Sequence, residues 1–137
     1  MDDGSRLIGG RRERATGSRL NSAIVNAVVH LHSRYAGRGP TRAQAFARHN
    51  VVVLLMEDAM TQGERSLAAH GRQAVALDIR RQLETAMRER LVGAVEDLTG
   101  CRVVAFMNDN HIDPDVVAEL FVLDRPVPGA QLAPNGG

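Results

Sequence analysis

The chain has 137 residues, enough for one folded domain, and its formal net charge of +1 gives no general attraction to nucleic acid or to an acidic membrane. Hydrophobic residues make up 44% of the sequence, which predicts a packed core and argues against a disordered protein. All 17 basic residues are arginine. Schiff-base chemistry and Walker-type phosphate binding are therefore excluded, because both need a lysine.

The compartment is inferred from three features of the sequence. The single Cys101 has no partner for an internal disulfide, so nothing indicates secretion. Residues 1–14 are charged rather than apolar, and we expect no signal peptide. The longest apolar run, Val51–Met56, is far shorter than the ~20 residues that a membrane span requires. We expect a cytoplasmic protein without a membrane span.

The first half of the chain predicts a helix followed by a β-hairpin. Residues 1–17 have no apolar period and are predicted to form a disordered arm. Ser18 is the expected cap of a helix that ends at Gly37. Thr41–Arg48 alternates small and polar residues, which predicts a strand, and a two-residue turn joins it to the apolar strand Val51–Met56.

The second half repeats this arrangement after a short helix. The segment Thr61-Gln62-Gly63-Glu64 matches a capping box and predicts the start of that short helix. Gln73–Leu98 has apolar residues every three or four positions and predicts a long amphipathic helix. Strands Cys101–Met107 and Asp115–Leu123 follow, joined by a loop over Asn108–Pro114.

The predicted order is α-β-β-α-α-β-β. It favours an α+β fold with one four-stranded antiparallel sheet and with helices packed on one face. The folded domain is predicted over residues 18–124, with a disordered tail over 125–137. On the long helix, the charged residues, Arg80 and Glu84 among them, are predicted to face solvent.

The histidines and acidic residues predict no metal site. His30 and His32 lie two residues apart, on different faces of the first helix, and each is predicted to be at the surface or half buried. The loop before the last strand resembles a calcium-binding loop, but Pro114 stands where glycine is needed and Leu120 where the bidentate glutamate is needed. We predict no metal, no cofactor and no catalytic residue.

Five residues remain as weak candidates for ligand binding. Asp113 can orient His111 as a base in a hydrolase or lyase, but no nucleophile is tied to them by spacing. Arg42, Arg48 and Arg102 are expected on one open face of the sheet, where they favour an anion or a small molecule. Nucleic-acid binding is not expected, because the few phenylalanines are more useful in the core.

An open sheet also has free edges, which proteins usually cover. The alanines of the first strand, Ala43, Ala45 and Ala47, would permit close approach of another chain. We therefore predict a homodimer.

Four segments together resemble the MpsC family: Arg38–Ala43, Asn50–Asp58, Met60–Glu64 and Val95–Val104. They contain a Gly-Pro-centred hairpin, a threonine-to-glutamate helix start, and Leu-Thr-Gly before a valine-rich strand. The resemblance spans about residues 18–123. The chain departs from the family pattern at Met60 and Gly63, next to the start of the short helix.

The resemblance implies association with a Na⁺-translocating, membrane-potential-generating system whose integral membrane components are separate proteins. Our leading hypothesis is a non-enzymatic, cytoplasmic accessory or regulatory protein of such a system or of an inorganic-carbon transport system. Its partners would be transport-complex subunits that hold it at the inner face of the membrane. The alternative is a small-molecule or anion-binding domain that uses the arginine-bearing sheet face.

Overall fold

The computed structural model describes residues 9–129, and side chains from residue 17 onward. It contains three helices and four strands in the predicted order, which confirms the α+β fold class. The strands form one antiparallel sheet in the order β1-β2-β4-β3. The elements are α1 (Gly9–Ala36), β1 (Arg42–Arg48), β2 (Val51–Glu57), α2 (Gln62–Ala69), α3 (Gln73–Thr99), β3 (Val103–His111) and β4 (Val116–Leu123).

The two ends of the domain extend beyond the predicted limits. Helix α1 begins at Gly9, so residues 9–17, which were expected in a disordered arm, are helical. Val127, expected in the disordered tail, is buried, and its N–H donates to the His49 carbonyl at 2.7 Å. Residues 1–8 and 130–137, the rest of the predicted arm and tail, lie outside the described residues.

Strand β3 is longer than predicted, and the following connector is correspondingly shorter. Asn108, Asp109 and Asn110 were expected in a loop, but they pair with β4 and continue the strand to His111. Backbone pairing with an apolar strand outweighs the low strand preference of these side chains. Residues 112–115 then form the turn.

The sheet consists of two hairpins that meet through their second strands. β1 pairs with β2, β3 pairs with β4, and β2 pairs with β4 in an antiparallel register that sets Leu54 opposite Glu119. Each helix-and-hairpin unit thus supplies two neighbouring strands. The last strand of each unit, β2 or β4, occupies one of the two central positions of the sheet.

The inner face of the sheet forms the core with α1 and α3. Along β2 and β4 every second residue is buried, as expected for strands with one face against helices. Phe106 and Phe121 pack with ring centroids 4.8 Å apart. The alanines of β1 also pack against this core, so their small size serves the contact between β1 and α1. The core side chains include Ile24, Val28, Val52, Leu54, Met56, Met87, Leu91, Val95, Val117 and Leu123.

The outer face of the sheet is apolar and carries no helix of the described part of the chain. Phe46, Val53, Leu120 and Met107 are aligned in one row across all four strands. Phe46 and Met107, at the two ends of the row, are each 53% exposed. We call these four residues the apolar row.

Helix α3 ends at a glycine with a left-handed backbone. Gly100 has φ 72°, and its N–H donates to the Glu96 carbonyl at 2.8 Å. Gly100→Ala is expected to lower the free energy of unfolding by about 1–2 kcal/mol, because L-residues are strained in this region. Gly93→Ala, inside the same helix with open space around the new methyl group, is expected to raise it by about 0.5–1 kcal/mol. Urea denaturation measures both, and equal signs would contradict the prediction.

Candidate functional site: a buried histidine–glutamate cluster

One histidine and two glutamates from three different elements meet inside the domain. His32 lies on α1, Glu84 on α3 and Glu119 on β4, and their exposed fractions are 1%, 3% and 0%. We call these three residues the buried cluster. Charged and polar side chains are rarely buried to this extent unless they are paired or bind an ion.

The local pattern of each element turns these side chains inward. His32 follows Ile24 and Val28 at intervals of four residues, so all three lie on the same helix face, and all three are buried. Glu119 stands between Val117 and Phe121 on β4, and alternation along the strand directs all three to the inner face of the sheet.

The distances within the buried cluster are short. His32 Nε2 lies 2.9 Å from Glu119 Oε2 and 3.7 Å from Glu84 Oε2. One nitrogen or oxygen atom from each residue lies within 4.8 Å of the others. Both carboxylate oxygens of Glu84 and the Oε1 atom of Glu119 are buried without a hydrogen-bond partner. Unpartnered buried oxygens are costly, so this part of the core needs a proton or another positive group.

Burial changes the protonation of all three groups. Burial, and next the neighbouring Glu119 carboxyl group, raise the pKa of Glu84 to about 8. Burial also raises the pKa of Glu119 to about 7. The pKa of His32 is lowered by burial, which outweighs the attraction of Glu84 for the imidazolium. Without a cation, the glutamates therefore retain protons near neutral pH, and the imidazole is neutral.

A second buried charge pair lies beside the cluster. Arg80 Nη1 lies 3.2 Å from Glu64 Oε1 and donates to the Ala59 carbonyl at 3.3 Å. Glu64 also completes the predicted capping box, accepting from the Thr61 N–H while the Thr61 hydroxyl accepts from the Glu64 N–H. The capping box is therefore confirmed.

A cleft of about 310 Å³ leads from the surface to Glu84. Its wall on β3 includes Asn108 and Asn110, and the Oδ1 atom of Asn110 is also buried without a hydrogen-bond partner. Arg88 borders the cleft, stacks over Phe106 and donates to its carbonyl. The cleft is lined by Arg81, Glu84, Thr85, Arg88, Phe106, Asn108, Asp109 and Asn110.

Three of these residues lie elsewhere than the sequence predicts. His32 was predicted at the surface or half buried, and Arg80 and Glu84 in solvent, whereas all three are buried. On α3 the buried stripe runs through positions 76, 80, 84, 87, 91 and 95, while Leu98, assigned to the stripe, is 39% exposed. The sequence does contain a signal of the buried cluster. Arg80 and Glu84 interrupt an otherwise apolar helix stripe, and Glu119 interrupts an otherwise apolar strand.

The three candidate arginines do not converge in the structure. Arg42 and Arg48 lie at opposite ends of β1, which separates them by about 20 Å. Arg42 is 3.6 Å from Glu57 on the next strand. Arg102 precedes β3, at the other edge of the sheet.

His111 and Asp113 lie at the exposed β3–β4 turn. His111 Nδ1 is 2.8 Å from the Pro114 carbonyl, and the described residues show no hydrogen bond between His111 and Asp113. His30 is exposed while His32 is buried, so these two histidines do not share a site, as predicted.

The comparisons with known proteins give one match. A family model described as MpsC, the Na⁺-translocating membrane potential-generating system, matches residues 16–125. No curated protein and no solved structure matches the chain. Within residues 9–129, no helix has both the length and the apolar character needed to cross a bilayer.

Proposed function

Because the chain belongs to the MpsC family, we propose that it is a non-enzymatic accessory or regulatory protein of a Na⁺-translocating membrane-potential system. In this proposal it acts in the cytoplasm and is held at the inner face of the membrane by a protein subunit of that system. The family description supports the link to the system, and the apolar row supports the mode of binding.

The apolar row has the properties of a protein-binding surface. Phe46 and Met107 are each 53% exposed, and the sheet register joins them through Val53 and Leu120 into one continuous apolar strip. Contiguous apolar surface is uncommon on monomeric proteins and marks interaction sites, and aromatic residues and methionine are enriched there. We assign this face to a protein subunit of the membrane system.

His111 lacks the contact that the hydrolase or lyase hypothesis requires. The Nδ1 atom of His111 lies 2.8 Å from the Pro114 carbonyl, and the described residues show no hydrogen bond between this ring and a hydroxyl or thiol. A general base that activates a nucleophile needs such a contact.

The test measures the membrane potential in cells of the source organism. Deleting the gene is expected to reduce the Na⁺-dependent part of the potential, read with a voltage-sensitive dye at low and high Na⁺. The wild-type gene should restore it, whereas Phe46→Asp should not, because a charge in the apolar row opposes binding. Gln44→Asp is the matched control, since Gln44 is exposed on the same strand and face.

The comparison requires that the wild-type protein and the variants are present in equal amounts in the cells, which an antibody can check. A deletion that leaves the Na⁺-dependent potential unchanged would refute the link to the system. Full restoration by Phe46→Asp would refute the role of the apolar row.

The predicted homodimer is tested on the same surface by light scattering of the purified protein. A mass of twice 14.8 kDa for the wild type and 14.8 kDa for Phe46→Asp would assign the row to a second copy of the chain instead of a membrane-system subunit. A wild-type mass of 14.8 kDa at high concentration would contradict the homodimer.

A further inference from the structure

We propose that the buried cluster of His32, Glu84 and Glu119 binds a divalent transition-metal ion such as Zn²⁺ or Mn²⁺. This inference rests on the interior of the domain and does not depend on the proposed function. The sequence alone predicts no metal site, and the structure leads to the opposite proposal.

The spacing of the three side chains suits one ion. Zn²⁺ binds imidazole nitrogen and carboxylate oxygen at about 2.0–2.2 Å in tetrahedral geometry, so neighbouring ligand atoms lie about 3.4 Å apart. The distances from His32 Nε2 to Glu119 Oε2, 2.9 Å, and to Glu84 Oε2, 3.7 Å, bracket this value. Small rotations of the two long glutamate side chains are enough to seat the ion.

The unpartnered oxygens point to a missing positive group. Glu84 is 3% exposed, and neither of its carboxylate oxygens accepts a hydrogen bond of ordinary geometry, although the Asn108 amide is near enough to lower the pKa of Glu84. Oε1 of Glu119, which is fully buried, also lacks a partner. A proton shared by the two carboxyl groups joins only two of these three oxygens. A divalent metal ion ligated through Oε2 of both glutamates places a charge of +2 beside all of these oxygens, twice the charge of a shared proton.

The charges and ligand types identify the class of ion. Two carboxylates and a neutral imidazole carry a charge of −2, which a divalent cation neutralises. The nearby Arg80 is paired with Glu64 at 3.2 Å, and its charge also favours the ionised form of Glu119 and the neutral form of His32, which are the forms that bind a metal ion. An imidazole ligand favours transition metals, whereas Na⁺, Mg²⁺ and Ca²⁺ prefer sites made of oxygen alone.

A route to the site and a source of further ligands are also present. The cleft of about 310 Å³ reaches Glu84, and the amides of Asn108 and Asn110 line it on the β3 side. Water in the cleft can complete the coordination of the ion, and bound ions can exchange with solvent through it.

The experiment uses the full chain, freed of metal with a chelator that is then removed. Zn²⁺, Mn²⁺, Co²⁺, Mg²⁺ and Na⁺ are titrated separately, with binding followed by calorimetry and stability by thermal unfolding. We expect Zn²⁺, Mn²⁺ and Co²⁺ to bind with one ion per chain and to raise the unfolding temperature, since a ligand at 100 times Kd shifts the folding equilibrium about 100-fold. Co²⁺ should also develop visible absorption bands typical of tetrahedral or five-coordinate ligation.

Paired variants separate the buried cluster from other metal-binding groups. Glu84→Gln and His32→Asn are expected to weaken Zn²⁺ binding by about 100-fold or more and to abolish the Co²⁺ bands. Glu89→Gln on α3 and His30→Asn on α1 are the matched controls, because both residues are exposed, and they should bind like the wild type. Circular dichroism of the metal-free variants checks that each is folded.

Three results would overturn the proposal. The first is no binding of any transition-metal probe. The second is Zn²⁺ binding that Glu84→Gln and His32→Asn leave unchanged, which would assign the ion to surface histidines. The third is a metal-free Glu84→Gln that is more stable than the wild type while no metal stabilises either protein, which would identify the buried cluster as a carboxyl pair that shares a proton.

Discussion

Replacing Arg80 with methionine is expected to lower the free energy of unfolding by about 3–5 kcal/mol, because the change leaves Glu64 buried without its ion-pair partner. Arg80 and Glu64 are each about 2% exposed and lie 3.2 Å apart. Methionine fills much of the arginine volume, so the loss reports on charge and hydrogen bonding more than on a cavity. The donor to the Ala59 carbonyl is lost as well. Urea denaturation at pH 7 measures the change.

Two further variants show whether the unpaired charge is the cause. Arg81→Met alters the neighbouring, exposed arginine and is expected to change the free energy of unfolding by less than about 0.5 kcal/mol. Adding Glu64→Gln to Arg80→Met should recover a substantial part of the loss, since glutamine carries no charge and can still accept from the Thr61 N–H in the capping box. An Arg80→Met variant no less stable than Arg81→Met would contradict the prediction.

The metal-free protein is expected to lose stability as the pH rises from 6.5 to 8. The pKa of Glu84 rises from 4.5 to about 8 on folding, and that of Glu119 from 4.5 to about 7. Across this window the folded state therefore holds more protons than the unfolded state, and the free energy of unfolding falls with pH, by up to about 1.4 kcal/mol per pH unit for each proton.

The other groups around the cluster determine the pH range in which this loss of stability is clearest. The pKa of His32 is lowered from 6.5 on folding, so below pH 6.5 its contribution rises with pH and opposes that of the glutamates. Arg80 on α3, which is paired with Glu64 of α2, lowers the pKa of both His32 and Glu119, and the amide of Asn108 on β3 lowers that of Glu84. Above pH 6.5 the opposing contribution of His32 fades, and the two buried glutamates give the slope its negative sign.

Urea denaturation at several pH values, with chelator present, tests this prediction. Glu84→Gln should reduce the slope, because glutamine reproduces the neutral carboxyl group at every pH. Glu89→Gln, which alters an exposed residue of the same helix, should keep the wild-type slope. A wild-type stability that rises between pH 6.5 and 8, or a Glu84→Gln slope equal to that of the wild type, would contradict it.

The elements of this fold were predictable from the sequence because their signals are local. The capping box at Thr61, the left-handed glycine after α3 and the alternation along β1 each depend on a few neighbouring residues, and each is present in the structure. The family match over residues 16–125 confirms the resemblance that was carried by the same kind of short motifs.

The buried cluster was not predictable in this way, since its members are far apart in the chain. His32 and Glu119 are separated by 87 positions, and only the pairing of β4 with β2 brings Glu119 to the centre of the sheet. The pattern of α3 is also misleading, because a stripe through Ile79 and Leu83 is more apolar than the observed one through Arg80 and Glu84. In the folded chain Arg80 is paired with Glu64 of α2, and Glu84 lies 3.7 Å from His32 of α1, so both charged residues have polar neighbours on other elements.

The central position of β4 bears on how the protein is made. As the chain leaves the ribosome, β1 and β2 can pair, but β2 keeps an unsatisfied edge until residues 116–123 have emerged. A nascent chain that has completed α3 therefore exposes the backbone of an apolar strand, a state that invites aggregation or chaperone binding. Truncation before Val116 removes the middle of the sheet and separates its halves, so we expect the domain to close only after synthesis of β4.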